Sequence, residues 1–317
     1  MMRILISGGA GFIGSNLVGT LLDREDVEYV RVVDNLSTGY MKNVDEFSSN
    51  KKFDLLIGDI RDIDICKKAV FSMDIVLHQA ALGSVPRSMK TPLSSHDNNV
   101  VGFVNLLEAA RLEGIKRFVY ASSSSVYGNT KTLADLDYCK PVSFYGMTKH
   151  VNDLYAKFYT DYFNMECIGL RYHNVFGKRQ SFKGEYSAVI PIFITTALRG
   201  DELSIHGDGT QYRDFTHVSN VVNANILSIL TTNRDSFGKS FDIGSLTKIS
   251  VNELSEIVLK HTQSKSNIKY IEKRKGDIHA SFAHMPESKR YINYTPIKTF
   301  DDGILETVRY YSSLENL

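Results

Sequence analysis

Tyr145 and Lys149 stand four positions apart in Tyr145-Gly146-Met147-Thr148-Lys149, a spacing that puts both on one face of a helix. A free tyrosine, with a pKa of about 10, is a poor base at neutral pH. A lysine ammonium one turn away favours the phenolate and is expected to bring that value down toward the working range. Ahead of the pair runs Ser122-Ser123-Ser124-Ser125-Val126-Tyr127-Gly128. A serine hydroxyl from this strand end can hold the same substrate oxygen. Such a trio moves a proton on or off a sugar or alcohol hydroxyl while a hydride leaves the carbon. An ordinary surface i,i+4 pair has the same spacing, so the reading requires a hydride carrier elsewhere in the chain.

The opening residues supply one. Ile4-Leu5-Ile6 is a short apolar run of the buried parallel-strand kind. It leads into Ser7-Gly8-Gly9-Ala10-Gly11-Phe12-Ile13-Gly14, and a helical pattern follows through Leu17, Leu21 and Leu22. Gly9, Gly11 and Gly14 fit G-x-G-x-x-G, while Gly8, Gly11 and Gly14 fit G-x-x-G-x-x-G. Glycines there permit a tight turn and let the backbone approach a pyrophosphate at the helix N-terminus. A second strand, Tyr29-Val30-Arg31-Val32-Val33, ends in Asp34, where a carboxylate takes the adenosine ribose hydroxyls. An acid at that point repels a 2′-phosphate, so NAD is favoured over NADP.

The elements that must carry these residues alternate. Strand-like runs at 53–57, 75–78, 117–121 and 166–171 are separated by helical patterns near 62–71, 97–113 and 145–163. That order predicts a Rossmann-type α/β fold, a doubly wound parallel sheet with ligands at the carboxyl ends of its strands. After Gly177 the pattern loosens into shorter, glycine-punctuated elements, read as a smaller C-terminal substrate-binding lobe. The expected division is residues 1–177 for an NAD-binding domain, with returning segments near 215–245, and 178–317 mainly for the lobe. At 317 residues and 43% apolar content the chain can bury a core of that size. Its net charge of +1, from 37 basic and 36 acidic residues, points to no nucleic-acid or membrane surface. Cys66, Cys139 and Cys167 are odd in number and scattered, as reduced thiols in a cytoplasm would be. No apolar stretch reaches membrane-spanning length, and the first residues read as a strand rather than a signal peptide. No His/Cys/carboxylate set has metal-ligand spacing.

Together these motifs resemble the extended short-chain dehydrogenase/reductase family, and within it the nucleotide-sugar 4-epimerases, along nearly the whole chain. Gly58-Asp59-Ile60-Arg61 is similar to the family's adenine-contacting turn, Val76-Leu77-His78-Gln79-Ala80-Ala81 to the strand beside the cofactor, and Asn99-Val100-Val101-Gly102 to its Asn-Val-x-Gly helix. Arg171-Tyr172-His173-Asn174-Val175-Phe176-Gly177 resembles the turn where nicotinamide meets substrate, and Arg213-Asp214-Phe215 the diphosphate segment. The run 78–88, ending in Ser84-Val85-Pro86-Arg87-Ser88, is most similar to the UDP-N-acetylglucosamine 4-epimerase branch.

The resemblance implies Ser123, Tyr145 and Lys149 as the catalytic set. For NAD it implies Gly8, Gly11, Phe12, Ile13, Gly14, Asp34, Asn35, Ser37, Thr38 and Gly39, then Asp59, Ile60, Gln79, Ala80, Ala81, Asn99 and Tyr172, beside Tyr145 and Lys149. For a UDP-sugar it implies Ser84, Ser123, Ser124, Tyr145, Asn174, Ala188, Val189, Arg213, Arg274 and Ser281. Both arginines would clamp the diphosphate, a task for forked donors. Ser281 stands where relatives confined to plain hexoses carry tyrosine, leaving room for an N-acetyl group.

Family dehydratases and decarboxylases place an acid before the Tyr-Gly pair, and 122–125 offers none, which favours 4-epimerisation through a transient 4-keto sugar. Net NADH release or loss of water would instead mark a dehydratase or oxidoreductase; a UDP-glucuronic-type sugar epimerase and a silent nucleotide-binding regulator are further readings. The resemblance also implies a homodimer through a helix bundle, in keeping with the apolar and aromatic residues on several faces of 97–113 and 145–163. Three positions depart from the pattern: His173 for phenylalanine, and Asn220 and His284 for aspartates.

Overall fold

A computed structural model describes residues 1–128, 139–184, 187–273 and 280–314, with 280 and 281 as backbone alone. The first half alternates strand and helix. It runs β1 (Met2–Ser7), α1 (Phe12–Leu22), β2 (Val27–Asp34), β3 (Phe53–Ile57), α2 (Ile63–Val70) and β4 (Ile75–His78). Then come α3 (Val85–Lys90), α4 (Pro92–His96), a π-helical turn (Asp97–Val101), α5 (Gly102–Glu113) and β5 (Arg117–Ser123). A 3-10 turn (Ser124–Tyr127), α6 (Phe144–Phe163) and β6 (Glu166–Tyr172) complete this half. The second half holds β7 (Val175–Phe176), α7 (Val189–Arg199), β8 (Leu203–His206), β9 (Tyr212–Arg213), β10 (Thr216–His217), α8 (Val218–Leu230) and β11 (Lys239–Ile243). It ends with β12 (Ile249–Ser250), α9 (Val251–Thr262), β13 (Ile268–Ile271), β14 (Ala280–Ser281), α10 (Pro286–Ile292) and α11 (Phe300–Ser312).

Seven strands form one parallel sheet in the order β11-β6-β5-β4-β1-β2-β3. The order reverses between β1 and β4, the place where such sheets open a crevice. Burial explains the composition of β1. Ile4 and Ile6 pack with Leu17 and Leu21 of α1 and Val221 of α8 on one face. Leu5 packs with Cys66, Phe103 and Leu106 on the other. A strand covered on both faces must be apolar at consecutive positions. Cys66 and Cys167 are buried, and burial pushes both thiols up to about 12.

A third core lies apart from the sheet, built from Phe176, Ile190, Phe193, Leu203, Ile205, Leu254, Ile304 and Tyr311. This lobe is more helical than its glycines suggest. Gly200 ends α7 at φ +77°, while Gly207 and Gly209 turn the chain after β8 at +76° and +74°. The chain then re-enters the main body: α8 packs on α1, β5 and β6, and β11 becomes the last strand of the sheet. Asn220 fixes the later return. Its Oδ1 accepts the Ile297 and Lys298 N–H groups at 2.8 and 2.9 Å, and its Nδ2 donates to the Lys298 carbonyl at 2.9 Å. An aspartate could not make the last bond.

Candidate active site

A cavity of about 470 Å³ opens along the carboxyl ends of β1, β2, β4, β5 and β6. At one end the glycine turn closes tightly. Gly8 has φ +72°, and a Cβ there would meet Ala80 Cα at 2.7 Å. A Cβ on Gly14 would meet the Gly8 carbonyl oxygen at 2.2 Å, whereas one on Gly9 would strike the Val32 side chain. Gly8, Gly11 and Gly14 line the cavity and Gly9 is turned to β2. Asp34 is buried at the strand end, where its carboxylate accepts the Ala10 and Leu36 N–H groups at 3.0 and 2.8 Å. Burial raises its pKa, and the two N–H groups partly oppose that. Asn35, Ser37, Thr38, Gly39, Asp59 and Ile60 extend the same wall. Asn35 donates to Asp59 at 2.9 Å, and the Arg61 guanidinium beside Asp59 holds that carboxyl down at about 2.

At the other end stand Ser123, Ser124, Tyr145, Lys149, Tyr172 and Asn174, with Phe12, Ile13, Gln79, Ala80 and Ala81 between. Ser143 caps α6 by accepting the Gly146 N–H at 3.0 Å, and Ser88 Oγ accepts that of Tyr145 at 3.0 Å. A Cβ on Gly146 would lie 2.4 Å from the Ser125 carbonyl oxygen. The glycine after Tyr145 therefore lets α6 reach the serine turn, and Tyr145 and Ser123 line the same cavity.

The electrostatics correct the sequence expectation for Tyr145. Its pKa is raised, not lowered: burial disfavours the phenolate, and the nearby Ser123 hydroxyl offsets only part of that. Lys149 is fully buried, and its Nζ donates to the Ala121 carbonyl at 2.8 Å, lying 6.0 Å from the centre of the Tyr145 ring. Burial lowers Lys149 to about 8, with Asp153 opposing. The four-residue spacing sets the face, but the strand carbonyl decides where the ammonium goes.

Other residues fall elsewhere. Asn99 does not reach the cavity. The π-helical turn directs it inward, where Oδ1 accepts the Leu82 N–H at 2.8 Å and Nδ2 meets Thr148 Oγ1 at 3.2 Å; Asn98 takes the wall. Ser84 is spent on capping α3, accepting the Arg87 N–H at 3.2 Å. Ala188 precedes α7, and Val189 and Arg213 line a second cavity of about 190 Å³ with His206, Gln211 and Phe215. Ser281 pairs in register with Arg213 through β14 and β9. Arg274 lies outside the described residues.

Sequence reasoning missed Asn225, whose Nδ2 donates to the Tyr172 hydroxyl at 2.9 Å while its Oδ1 accepts from Gln79 at 3.1 Å. The Tyr172 hydroxyl donates to Gln79 Oε1 at 3.1 Å and closes the triangle. Burial pushes Tyr172 up to about 12, so it remains a neutral donor.

Residues 4–244 match the model of the NAD dependent epimerase/dehydratase family. The chain belongs to that family. It is an NAD-dependent enzyme of the isomerase kind, with the fold of the family's solved epimerases. A UDP-glucose 4-epimerase of Mycolicibacterium smegmatis is 32% identical over 315 residues, covering 98% of both chains. A UDP-N-acetylglucosamine 4-epimerase structure from Methanobrevibacter ruminantium, in complex with UDP-N-acetylmuramic acid, superposes with a TM-score of 0.92 at 33% identity, covering 98% of each chain. A UDP-glucose 4-epimerase of Thermotoga maritima with UDP-glucose gives 0.90 at 32% identity, covering 98% of this chain and 99% of that one.

The family's cofactor fits what is present. The backbone approach at Gly8 and Gly14 leaves the helix N-terminus bare for a pyrophosphate. Asp34 presents a carboxylate for the ribose, and Ser122 Oγ, buried beside the cavity, has no partner among the described residues.

Proposed function

We propose that this isomerase interconverts UDP-hexoses at C4, with UDP-N-acetylglucosamine and UDP-N-acetylgalactosamine as the leading pair and UDP-glucose and UDP-galactose as further substrates. NAD bound in the cavity takes the C4 hydride and returns it to the other face. Ser123 and Tyr145 hold the sugar O4, and Tyr145 accepts and restores its proton. Lys149, which burial lowers to about 8, sets the charge behind them. Asn174, at φ +34°, is fixed by its Nδ2 bond to the Asp214 carbonyl at 3.0 Å and faces the sugar. Arg213, with Arg274, binds the diphosphate, and Ala188 and Val189 lie along the nucleotide. Residues 1–177 with 215–245 serve the cofactor; the rest serves mainly the UDP-sugar.

The observation that carries this reading is the meeting of Ser123, Tyr145 and Lys149 in one cavity with no carboxylate in the 122–125 turn. A dehydratase needs an acid or base for the neighbouring carbon. Ser281, in register with Arg213, is small enough for an acetamido group, which favours the N-acetyl pair. The remaining finer proposals are a cytoplasmic enzyme and a homodimer. Leu154, Tyr155, Phe158 and Tyr162 are exposed on α6, and Phe158 stacks on Tyr162 at 5.4 Å, an apolar face suited to a second copy. Incubation with a panel of UDP-sugars, products resolved chromatographically and NADH followed by absorbance, tests the activity. Conversion without water loss or net NADH is expected; a 4-keto-6-deoxy product or stoichiometric NADH refutes it.

A further inference from the structure

Asp242 lies near the end of β11, opposite Arg171 in the register with β6, and is 5% exposed. Its carboxylate gathers three segments, two of which, 122–125 and 172–175, line the cavity. Oδ1 accepts the Tyr127 hydroxyl at 2.7 Å, and Tyr127 closes the 3-10 turn that Ser123 caps. Oδ2 accepts the His284 backbone N–H at 3.0 Å, three residues beyond Ser281. His173 Nε2 stands 3.4 Å from Oδ1, both side chains being almost wholly buried, and His173 joins the cavity residues Tyr172 and Asn174. The two histidines that depart from the family pattern thus meet at one carboxylate.

The line continues inward. Arg171 Nη1 donates to the Tyr127 hydroxyl at 2.8 Å and its Nη2 to Asp153 at 2.9 Å, and Asp153 acts on Lys149. Lys149, Asp153, Arg171 and Asp242 therefore alternate in sign behind the cavity. Burial alone would raise the Asp242 carboxyl, but the His173 ring, the His284 N–H and the Tyr127 hydroxyl hold it below its ordinary value. The directional bonds to Asp242 come from Tyr127 and the His284 N–H, while His173 Nε2 packs against the carboxylate at 3.4 Å without a hydrogen bond.

We propose that Asp242 and His173 are a positioning pair, fixing the turn that carries Ser123 against the 172–174 wall so that the sugar keeps its alignment through both hydride transfers. This rests on the assignment of Ser123 and Tyr145 made above. Asp242→Asn keeps the size, but its amide oxygen can serve only one of the Tyr127 and His284 donors. Misplacement of reacting groups by about 1 Å costs on the order of 100-fold. The expected result is a fall in kcat of roughly 10- to 100-fold, with KM for the UDP-sugar within about threefold and NAD content unchanged. His173→Phe should lower kcat by about tenfold, and the double variant should be no worse than Asp242→Asn, because one alignment is lost once. Multiplying effects, a change carried by KM, or loss of NAD would overturn the pair. If Asp242→Asn does not fold, His173→Phe decides by the same split of kcat from KM. Tyr145→Phe is measured alongside. An active Tyr145→Phe removes the catalytic assignment itself, while an inactive one beside an Asp242→Asn of wild-type kcat removes only the pair.

Discussion

Replacing Gly14 by alanine puts a methyl group 2.2 Å from the Gly8 carbonyl oxygen, 2.7 Å from Gly9 Cα and 2.9 Å from the Gly8 carbonyl carbon. These are backbone atoms, so no side chain can swing away. Restoring an ordinary contact of about 3.4 Å requires the turn and α1 to part by some 1.2 Å. That displacement falls where a pyrophosphate must be held by backbone N–H groups. Overpacking of this kind costs about 1–3 kcal/mol, which, expressed in binding, is roughly a 5- to 150-fold weaker hold on NAD. Denatured protein analysed by mass spectrometry gives the retained cofactor, and titration of cofactor-stripped protein gives the affinity. Two companions separate binding from folding. Gly9→Ala would drive its methyl into the Val32 side chain, 2.5 Å away, so it should lower thermal stability and spare NAD. Gly83→Ala, also on the cavity wall, would meet nothing within 4 Å and should change neither. Gly14→Ala binding NAD within about twofold of wild type would refute the argument that close backbone approach makes the site.

Three further outcomes follow from the same geometry. Tyr145→Phe should cost roughly 100- to 10,000-fold in turnover with UDP-sugar binding retained, and Ser123→Ala less; a Tyr145→Phe loss under about tenfold removes Tyr145 from proton transfer. Ser281→Tyr should depress turnover of UDP-N-acetylglucosamine while sparing UDP-glucose, read as the ratio of the two kcat/KM values, and an unchanged ratio removes Ser281 from substrate choice. His78 is buried between Phe103 and Phe118, and burial, with Lys149 nearby, lowers it from 6.5 to about 3. The folded protein keeps this ring neutral, so its contribution is whole above pH 6.5 and is lost as pH falls toward 3, where only the unfolded chain gains the proton. The span is on the order of 4–5 kcal/mol. His78→Phe should flatten that acid limb in denaturant titrations, and an identical slope would refute the assignment.

The Rossmann half was legible because its signals are local. The apolar runs at 53–57 and 75–78 are the strands Phe53–Ile57 and Ile75–His78, and the run at 166–171 is extended by one residue to Tyr172. Ile75–His78 is buried on both faces, which leaves little freedom in where that strand stops. What stayed illegible arises between distant segments. Nothing near Tyr172 announces that Asn225, 53 positions on, orients its hydroxyl. Tyr145 and Lys149 share a helix face as their spacing requires, yet their electrostatics depend on a carbonyl of β5 and on burial. His173, Asn220 and His284 read as unexplained departures. Two of them converge on Asp242, and the third supplies a donor that the 297–298 segment needs.

The late arrival of β11 bears on how this chain is made. Its partner β6 ends at Tyr172 and β11 begins at Lys239, so at about 5–20 residues per second the ribosome leaves β6 with a bare edge for roughly 3–13 s. During that interval Arg171 has no Asp242 across the ladder, and the N–H and C=O groups of β6 offer a template to any passing strand. A nascent fragment ending near Gly177 would thus carry the glycine turn and the catalytic trio on a sheet still one strand short, and its fate in a crowded cell would be aggregation or capture by a chaperone.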